Sequence, residues 1–214
     1  MRYEYNNNYF DDRYQGIPVG GYNQIIEKMI RGCDIELGVD YNEKRRLYDG
    51  CAEKIVYTGT IDSYYDYVYG RLEYRSLKFE TRRRSVKNHQ GVAVMNFTDA
   101  DTPYTRIIEH KHFEFGLQPY TYITKEFSCE CDENTEPYYP INDAKNQELY
   151  AKYQVLASRE ETVIFGGRLA EYKYYNMDQI VEAAVKLYRE ENNSQRKEWK
   201  KSSEKIADRR SALL

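Results

Sequence analysis

The sequence predicts a mixed α+β protein organised around an antiparallel β-sheet, and three observations carry that expectation. β-like runs dominate the middle of the chain, at Leu72–Thr81, Val92–Phe97, Arg106–Phe115 and Tyr120–Phe127. The connectors between them are short and polar or Gly/Pro-containing, and strands joined by so little chain pair antiparallel. Helical periodicity brackets this block, with Tyr22, Ile25, Ile26, Met29 and Ile30 on one face before it and Met177, Ile180, Val181, Ala184, Val185 and Tyr188 after it.

Taken in order, residues 1–16 are polar and aromatic, with the run Asn6-Asn7-Asn8, and read as a loop or frayed strand. Gly20-Gly21 opens the first helix and Gly32 ends it. Two strand-like runs follow, Ile35–Val39 and Lys54–Tyr57; the second leads through Thr58-Gly59 into an aromatic helix, Asp62–Tyr69. Within the sheet block Leu77 and Phe79 alternate with Lys78 and Glu80, so one face is expected to pack and the other to stay wet. Pro137-Tyr138-Tyr139-Pro140 is a rigid turn, after which Asn142 or Asp143 caps a helix carrying Leu149, Tyr150, Tyr153 and Leu156. A short strand, Val163–Phe165, then meets Gly166-Gly167 and the last amphipathic helix. Beyond Glu190 the sequence is a charged tail with Trp199.

The 214 residues suffice for a real core in one domain or two small ones. A balance of 32 basic against 35 acidic residues argues against a nucleic-acid binder, and Arg82-Arg83-Arg84 with Lys87 reads as a solvated hairpin end. The 24 tyrosines suit half-buried sheets and sugar or phosphate pockets, because each combines apolar bulk with a hydroxyl tip. Of Cys33, Cys51, Cys129 and Cys131 only the last two are close, and no second pair stands at metal-ligand spacing, so no metal site is expected. Without a signal peptide or an apolar run long enough to span a bilayer, the chain reads as cytoplasmic with reduced thiols.

Two segments concentrate chemistry. Residues 165–179 run from a strand through two glycines and Arg168 to Tyr172, Tyr174 and Tyr175, ending at the first turn of a helix. A helix N-terminus presents free N–H groups and partial positive charge, so it suits an anionic ligand atom. The run Tyr104–Phe113 carries Arg106, Glu109, His110, Lys111 and His112; strand alternation places Arg106 with the two histidines and Glu109 with Lys111. A guanidinium matches two oxygens of a pyrophosphate, and the alternative for Arg106 is a cross-strand ion pair. His89, His110 and His112 read as surface or strand residues.

These segments, with Asn8-Tyr9-Phe10, Arg13–Tyr22, Tyr57-Thr58-Gly59, Leu72–Leu77 and Pro137–Pro140, resemble the UDP-galactopyranose mutase family over nearly the whole chain. The resemblance implies an FAD-dependent isomerase that interconverts UDP-galactopyranose and UDP-galactofuranose through an adduct between the reduced flavin N5 and the sugar. It also implies the C-terminal half of such an enzyme: no Gly-x-Gly-x-x-Gly turn occurs in the sequence, and Met1 falls where the family approaches its active-site loop. The expected fold is therefore an antiparallel sheet domain plus C-terminal remnants of a Rossmann-like FAD-binding α/β domain. Expected divisions are 1–59 and 141–190 from the flavin domain, 60–140 as the sheet domain and 191–214 as tail.

By the same resemblance, Arg106, Arg168 and Asn176 are catalytic, Asn176 standing where the family usually has Asp. Arg2, Tyr9, Arg75, Asn96, Arg106, Tyr139 and Tyr174 bind substrate. Plain packing is the alternative for a tyrosine in so tyrosine-rich a chain, with Tyr139 between two prolines and Tyr174 beside the helix start as exceptions, and a frayed terminus is the alternative for Arg2. Thr58, Gly59, Gly167, Arg168, Met177, Asp178 and Gln179 hold FAD. Alone, the chain is expected to bind flavin poorly and turn over negligibly. Its partners would be UDP-galactose and UDP-galactofuranose, with a homo-oligomer or a complementing N-terminal half possible. The alternative is a non-catalytic sugar-nucleotide or assembly module.

Overall fold

The structure, a computed structural model, describes residues 12–193. It is mixed α/β, with an antiparallel curled sheet and a separate small parallel one. The chain divides into two compact units, Met1–Gly38 with Leu77–Cys129 and Val39–Ser76 with Glu130–Leu214.

The first unit contains α1 (Asn23–Met29) and most of the antiparallel sheet. Along the chain come α2 (Arg45–Tyr48), β1 (Ile55–Tyr57), α3 (Ile61–Tyr64), β2 (Tyr74–Arg84), β3 (Val94–Asn96), β4 (Arg106–Glu109) and β5 (Thr121–Glu130). In this unit β3, β4, β5 and the later part of β2 lie side by side in that order. β4 sits opposite β3 through Asn96↔Arg106 and opposite β5 through Arg106↔Glu126. Buried Ile107 and Ile123 face the core from its two central strands. The expected strand Arg106–Phe115 stops at Glu109 and turns into a 3-10 helix, His110–Glu114. Two interactions curl the chain there. The Lys111 ammonium donates to the carbonyls of Lys87 (2.7 Å) and Gln118 (2.6 Å), and the fully buried Glu109 carboxylate accepts the amides of His89 and Gln90. Glu109 and His112, expected on opposite faces, meet at 3.1 Å as a result.

The second unit holds β1 and α3, the start of β2, β6 (Tyr139–Pro140), α4 (Ala144–Ala157), β7 (Val163–Phe165) and a helix at 177–193, α5. β1 and β7 pair in parallel, Tyr57↔Phe165 being the last pair. Asp143 caps α4 by accepting the Asn146 amide at 2.8 Å, as expected. The core is aromatic: Ile61, Leu72, Tyr74, Tyr153 and Tyr172 pack together, and Tyr57, Tyr64, Val163 and Ala170 form a second cluster. Fully buried Tyr153 donates to the Gly70 carbonyl (2.7 Å) and accepts the Tyr69 amide (3.1 Å), so its hydroxyl is satisfied.

Several expectations fail for local reasons. The aromatic helix ends at Tyr64, because Asp66 and Tyr67 adopt left-handed backbone at φ 50° and 57°, which a right-handed helix cannot continue through. Ile35–Val39 forms no strand. Phe79 is 44 % exposed, so the alternation holds at Tyr74, Arg75 and Ser76 but not beyond. The apolar stripes of α1 and α5 stay out of the core: Ile26 and Met29, like Met177, Val181, Val185 and Tyr188, are exposed. Helix α5 instead turns Ile180, Ala183 and Leu187 inward, and a Cβ on Gly166 would lie 3.4 Å from Leu187. Among the described residues no helix is long and apolar enough to cross a membrane.

Burial pushes the Glu109 carboxyl up, but the Gln90 and His89 amides, with smaller help from Thr121 and His112, outweigh it and hold it at about 2. A depressed folded pKa contributes stability that is present above the unfolded value of 4.5 and lost as pH falls towards 2. Urea midpoints should therefore fall across that acid window. Glu109→Gln should flatten the dependence and cost on the order of 1–3 kcal/mol at neutral pH.

Candidate functional site

The second unit brings a glycine turn, an arginine and two tyrosines together at one end of its parallel strand pair. β1 and β7 end level with each other, and the Gly166 amide continues the ladder onto the Tyr57 carbonyl at 3.1 Å. Thr58-Gly59 and Gly166-Gly167 thus leave the carboxyl ends of adjacent parallel strands, the edge where open α/β sheets receive ligands. Gly167 has φ +91°, a conformation costly for any side chain, and a Cβ there would approach Thr58 to 3.5 Å. A Cβ on Gly59 would fall 2.6 Å from the Tyr57 hydroxyl. Glycine at 59 makes room for the Tyr57 ring, and glycine at 167 accommodates the left-handed backbone.

Arg168 follows directly. Its guanidinium carbon lies 5.0 Å from the Tyr139 ring centre and 4.7 Å from that of Tyr174. The two rings stack at 5.8 Å with 21° between their planes. The Arg168 Nε and Nη2 atoms are buried and make no hydrogen bond among the described residues. A buried, unpartnered N–H is rare and costs roughly 1–3 kcal/mol. Tyr139 comes from β6, opposite Arg75 of β2, so both side chains leave the same face of the ladder. Arg75 itself is exposed.

The turn after Arg168 is held by its own residues. The Glu171 carboxylate accepts the Gly167 amide at 3.1 Å and the Tyr175 hydroxyl, and the Glu171 amide donates back to the Gly167 carbonyl at 3.0 Å. Tyr172, buried and left-handed at φ 45°, places its hydroxyl against the carbonyls of Glu73 (2.6 Å) and Ile141 (3.0 Å). Desolvation first, then the Glu171 hydrogen bond, pushes the Tyr175 phenol up to about 12, so it remains a donor at neutral pH. Sequence reading passed over Glu171 and Tyr172. The spacing of Glu171 four residues after Gly167 is the only signal they leave, and it has meaning only once the turn is seen.

At the start of α5 the Asn176 backbone amide donates to the Gln179 side chain at 2.9 Å, one arm of a capping box that does not depend on whether residue 176 is Asn or Asp. Asn176, Met177, Asp178 and Gln179 are exposed. In the first unit, Asn96 and Arg106 face each other across β3 and β4, so they share one face with Glu126. Arg106 Nε sits 3.0 Å from the Glu126 carboxylate, which also accepts the Thr105 hydroxyl at 3.0 Å. The cross-strand ion pair weighed for Arg106 is therefore present. Arg2 and Tyr9 lie outside the described residues. Among the described residues no cluster of potential metal ligands occurs.

The sequence pattern of the UDP-galactopyranose mutase family matches residues 1–174. The chain belongs to that family. It is 40 % identical over 190 residues to a Klebsiella pneumoniae protein named as a probable UDP-galactopyranose mutase, covering 87 % of this chain and 48 % of the relative. To the dTDP-fucopyranose mutase of Escherichia coli it is 34 % identical over 191 residues, covering 86 % of this chain and 51 % of the relative. Against the UDP-galactopyranose mutase of Mycoplasma pneumoniae the figures are 36 % over 195 residues, 82 % and 48 %. The chain spans about half the length of the curated relatives it matches.

Gly167→Ala should strain the turn at φ +91° and cost about 1–2 kcal/mol of stability, read from urea denaturation of the whole chain.

Proposed function

We propose that this chain is the C-terminal portion of a flavin-dependent UDP-galactopyranose mutase, carrying part of the surface that grips the nucleotide-sugar diphosphate beside the flavin. The observation that supports this most is Arg168, a cation whose buried Nε and Nη2 have no hydrogen-bond partner among the described residues and which lies beside the Tyr139 and Tyr174 rings. A diphosphate oxygen would satisfy those N–H groups through charge-assisted hydrogen bonds. Phenol hydroxyls add hydrogen bonds without adding charge, so the departing nucleotide is held near the sugar yet released at the end. Arg75 would reach the same anion from the neighbouring strand.

The residues present fit a flavin as well. Thr58, Gly59 and Gly167 form turns at the carboxyl ends of parallel strands, and the α5 N-terminus at Met177, Asp178 and Gln179 would offer amides to an electron-rich ring edge. When bound and reduced, FAD supplies the nucleophile for the anomeric carbon. In this reading β1, β7 and α5 are the remnant of a Rossmann-like flavin domain. Arg106 and Asn96 of the first unit, with Arg2 and Tyr9, are further substrate-binding candidates that the family resemblance carries, and Arg106 Nε lies 3.0 Å from the Glu126 carboxylate. Asn176 keeps the helix cap but lacks the carboxylate usual at that position.

A second reading is favoured by one observation: Val56 on β1 and Met177, Val181 and Tyr188 on α5 are exposed apolar side chains beside a sheet of two strands. Such an edge and face invite pairing with a complementing half. The two readings are compatible, and together they make the isolated chain a weak flavin binder with negligible turnover.

Calorimetric titration with UDP tests the diphosphate grip. Arg168→Ala should weaken binding by about tenfold or more, a loss of the size expected for a charge-assisted hydrogen bond. Unchanged affinity contradicts the assignment. Following flavin fluorescence in a parallel titration with FAD, the isolated chain should bind weakly; tight stoichiometric binding would overturn the split of the flavin grip between two halves.

A further inference from the structure

We infer that Glu171 is a positioning residue for the diphosphate-binding arginine, acting by clamping both ends of the loop that carries Arg168 and Tyr174. The inference rests on the reading of Arg168 given above and extends it to a residue that touches no ligand. One carboxylate oxygen of Glu171 accepts the Gly167 amide at 3.1 Å, and the other accepts the Tyr175 hydroxyl. Gly167 immediately precedes Arg168 and Tyr175 immediately follows Tyr174. The side chain therefore bridges the two residues that flank the cation and its stacking partner.

Local backbone bonds reinforce the same geometry. The Lys173 amide donates to the Arg168 carbonyl at 3.1 Å and the Glu171 amide to the Gly167 carbonyl at 3.0 Å, so the segment closes on itself. Gly167 at φ +91° and Tyr172 at φ 45° are both left-handed, and such backbone persists only where surrounding contacts over-determine it. A carboxylate is the side chain for this task because it accepts two hydrogen bonds in diverging directions and donates none. Its negative charge, held by the amide and the phenol, does not pair with Arg168, whose Nε and Nη2 remain unpartnered. The cation is thus oriented by the loop and by ring stacking while its N–H groups stay free for a ligand.

The test uses the whole chain, labelled with nitrogen-15, and needs no ligand for its first arm. In the wild type the Arg168 Nε–H resonance should be shifted by the ring currents of Tyr139 and Tyr174, and the Gly167 amide should exchange slowly. In Glu171→Ala the Arg168 resonance should move to the position of a solvated arginine and the Gly167 amide should exchange freely, with the far-UV spectrum unchanged. Glu171→Gln, which keeps an acceptor for the amide and a polar group for the phenol, should restore both signals. In the second arm, inorganic pyrophosphate should bind Glu171→Ala about tenfold more weakly than the wild type, and Glu171→Gln like the wild type. An Arg168 resonance and Gly167 exchange rate unmoved by Glu171→Ala overturn the clamp. Pyrophosphate binding unmoved by Arg168→Ala overturns the diphosphate reading instead, leaving the resonance measurement to judge the clamp alone.

Discussion

The geometry of the second unit depends on the hydroxyl of Tyr172. The ring is buried, packs edge-on against Tyr74 at 5.2 Å, and its proton is shared between the carbonyls of Glu73 and Ile141, while the Ile141 amide donates to it at 3.2 Å. Desolvation pushes this phenol up to about 12, so it remains protonated and its bonds hold throughout the neutral range. Those three backbone groups belong to the start of β2 and to the residue after β6. A single side chain therefore fixes the Arg168 turn against the strand that carries Tyr139. The left-handed backbone at Tyr172 costs roughly 1–2 kcal/mol, which the buried hydrogen bonds and ring contacts offset.

The consequence is preorganisation. Arg168, Tyr139 and Tyr174 are brought within ring-stacking distance before any ligand arrives. The parallel strand pair contributes the other half of the arrangement, aligning two glycine-containing turns on one edge. Rigid support for a small set of unpaired donors is how a protein whose chemistry belongs to a cofactor contributes to rate: it positions the reactants and the leaving group.

Much of this was legible in the sequence where the signal is local. Gly166-Gly167-Arg168 follows a three-residue strand, so a glycine turn could be read directly, and Tyr139 between prolines and Tyr174 before a helix stood out by their local setting. The Asp143 cap was equally local. What failed required tertiary information. Periodicity marked an apolar face on α5 but could not say which side packs; the less exposed side is Ile180, Ala183 and Leu187, and of these only Ile180 lies on the marked face. The strand through Arg106 looked long because His110–Phe113 are compatible with β structure; the loop amides captured by Glu109 end it instead. Glu126 and Glu171 were invisible because a carboxylate's role as an anchor is defined by partners distant in sequence or folded back by a turn.

The central claim is that the unpartnered N–H groups of Arg168 await a phosphate oxygen between two phenols. A crystal structure of the chain with UDP tests it most directly. The account predicts diphosphate oxygens within roughly 3 Å of Arg168 Nε and Nη2, lined by the Tyr139 and Tyr174 rings. Ordered UDP bound elsewhere, with those two nitrogens still bare, contradicts it.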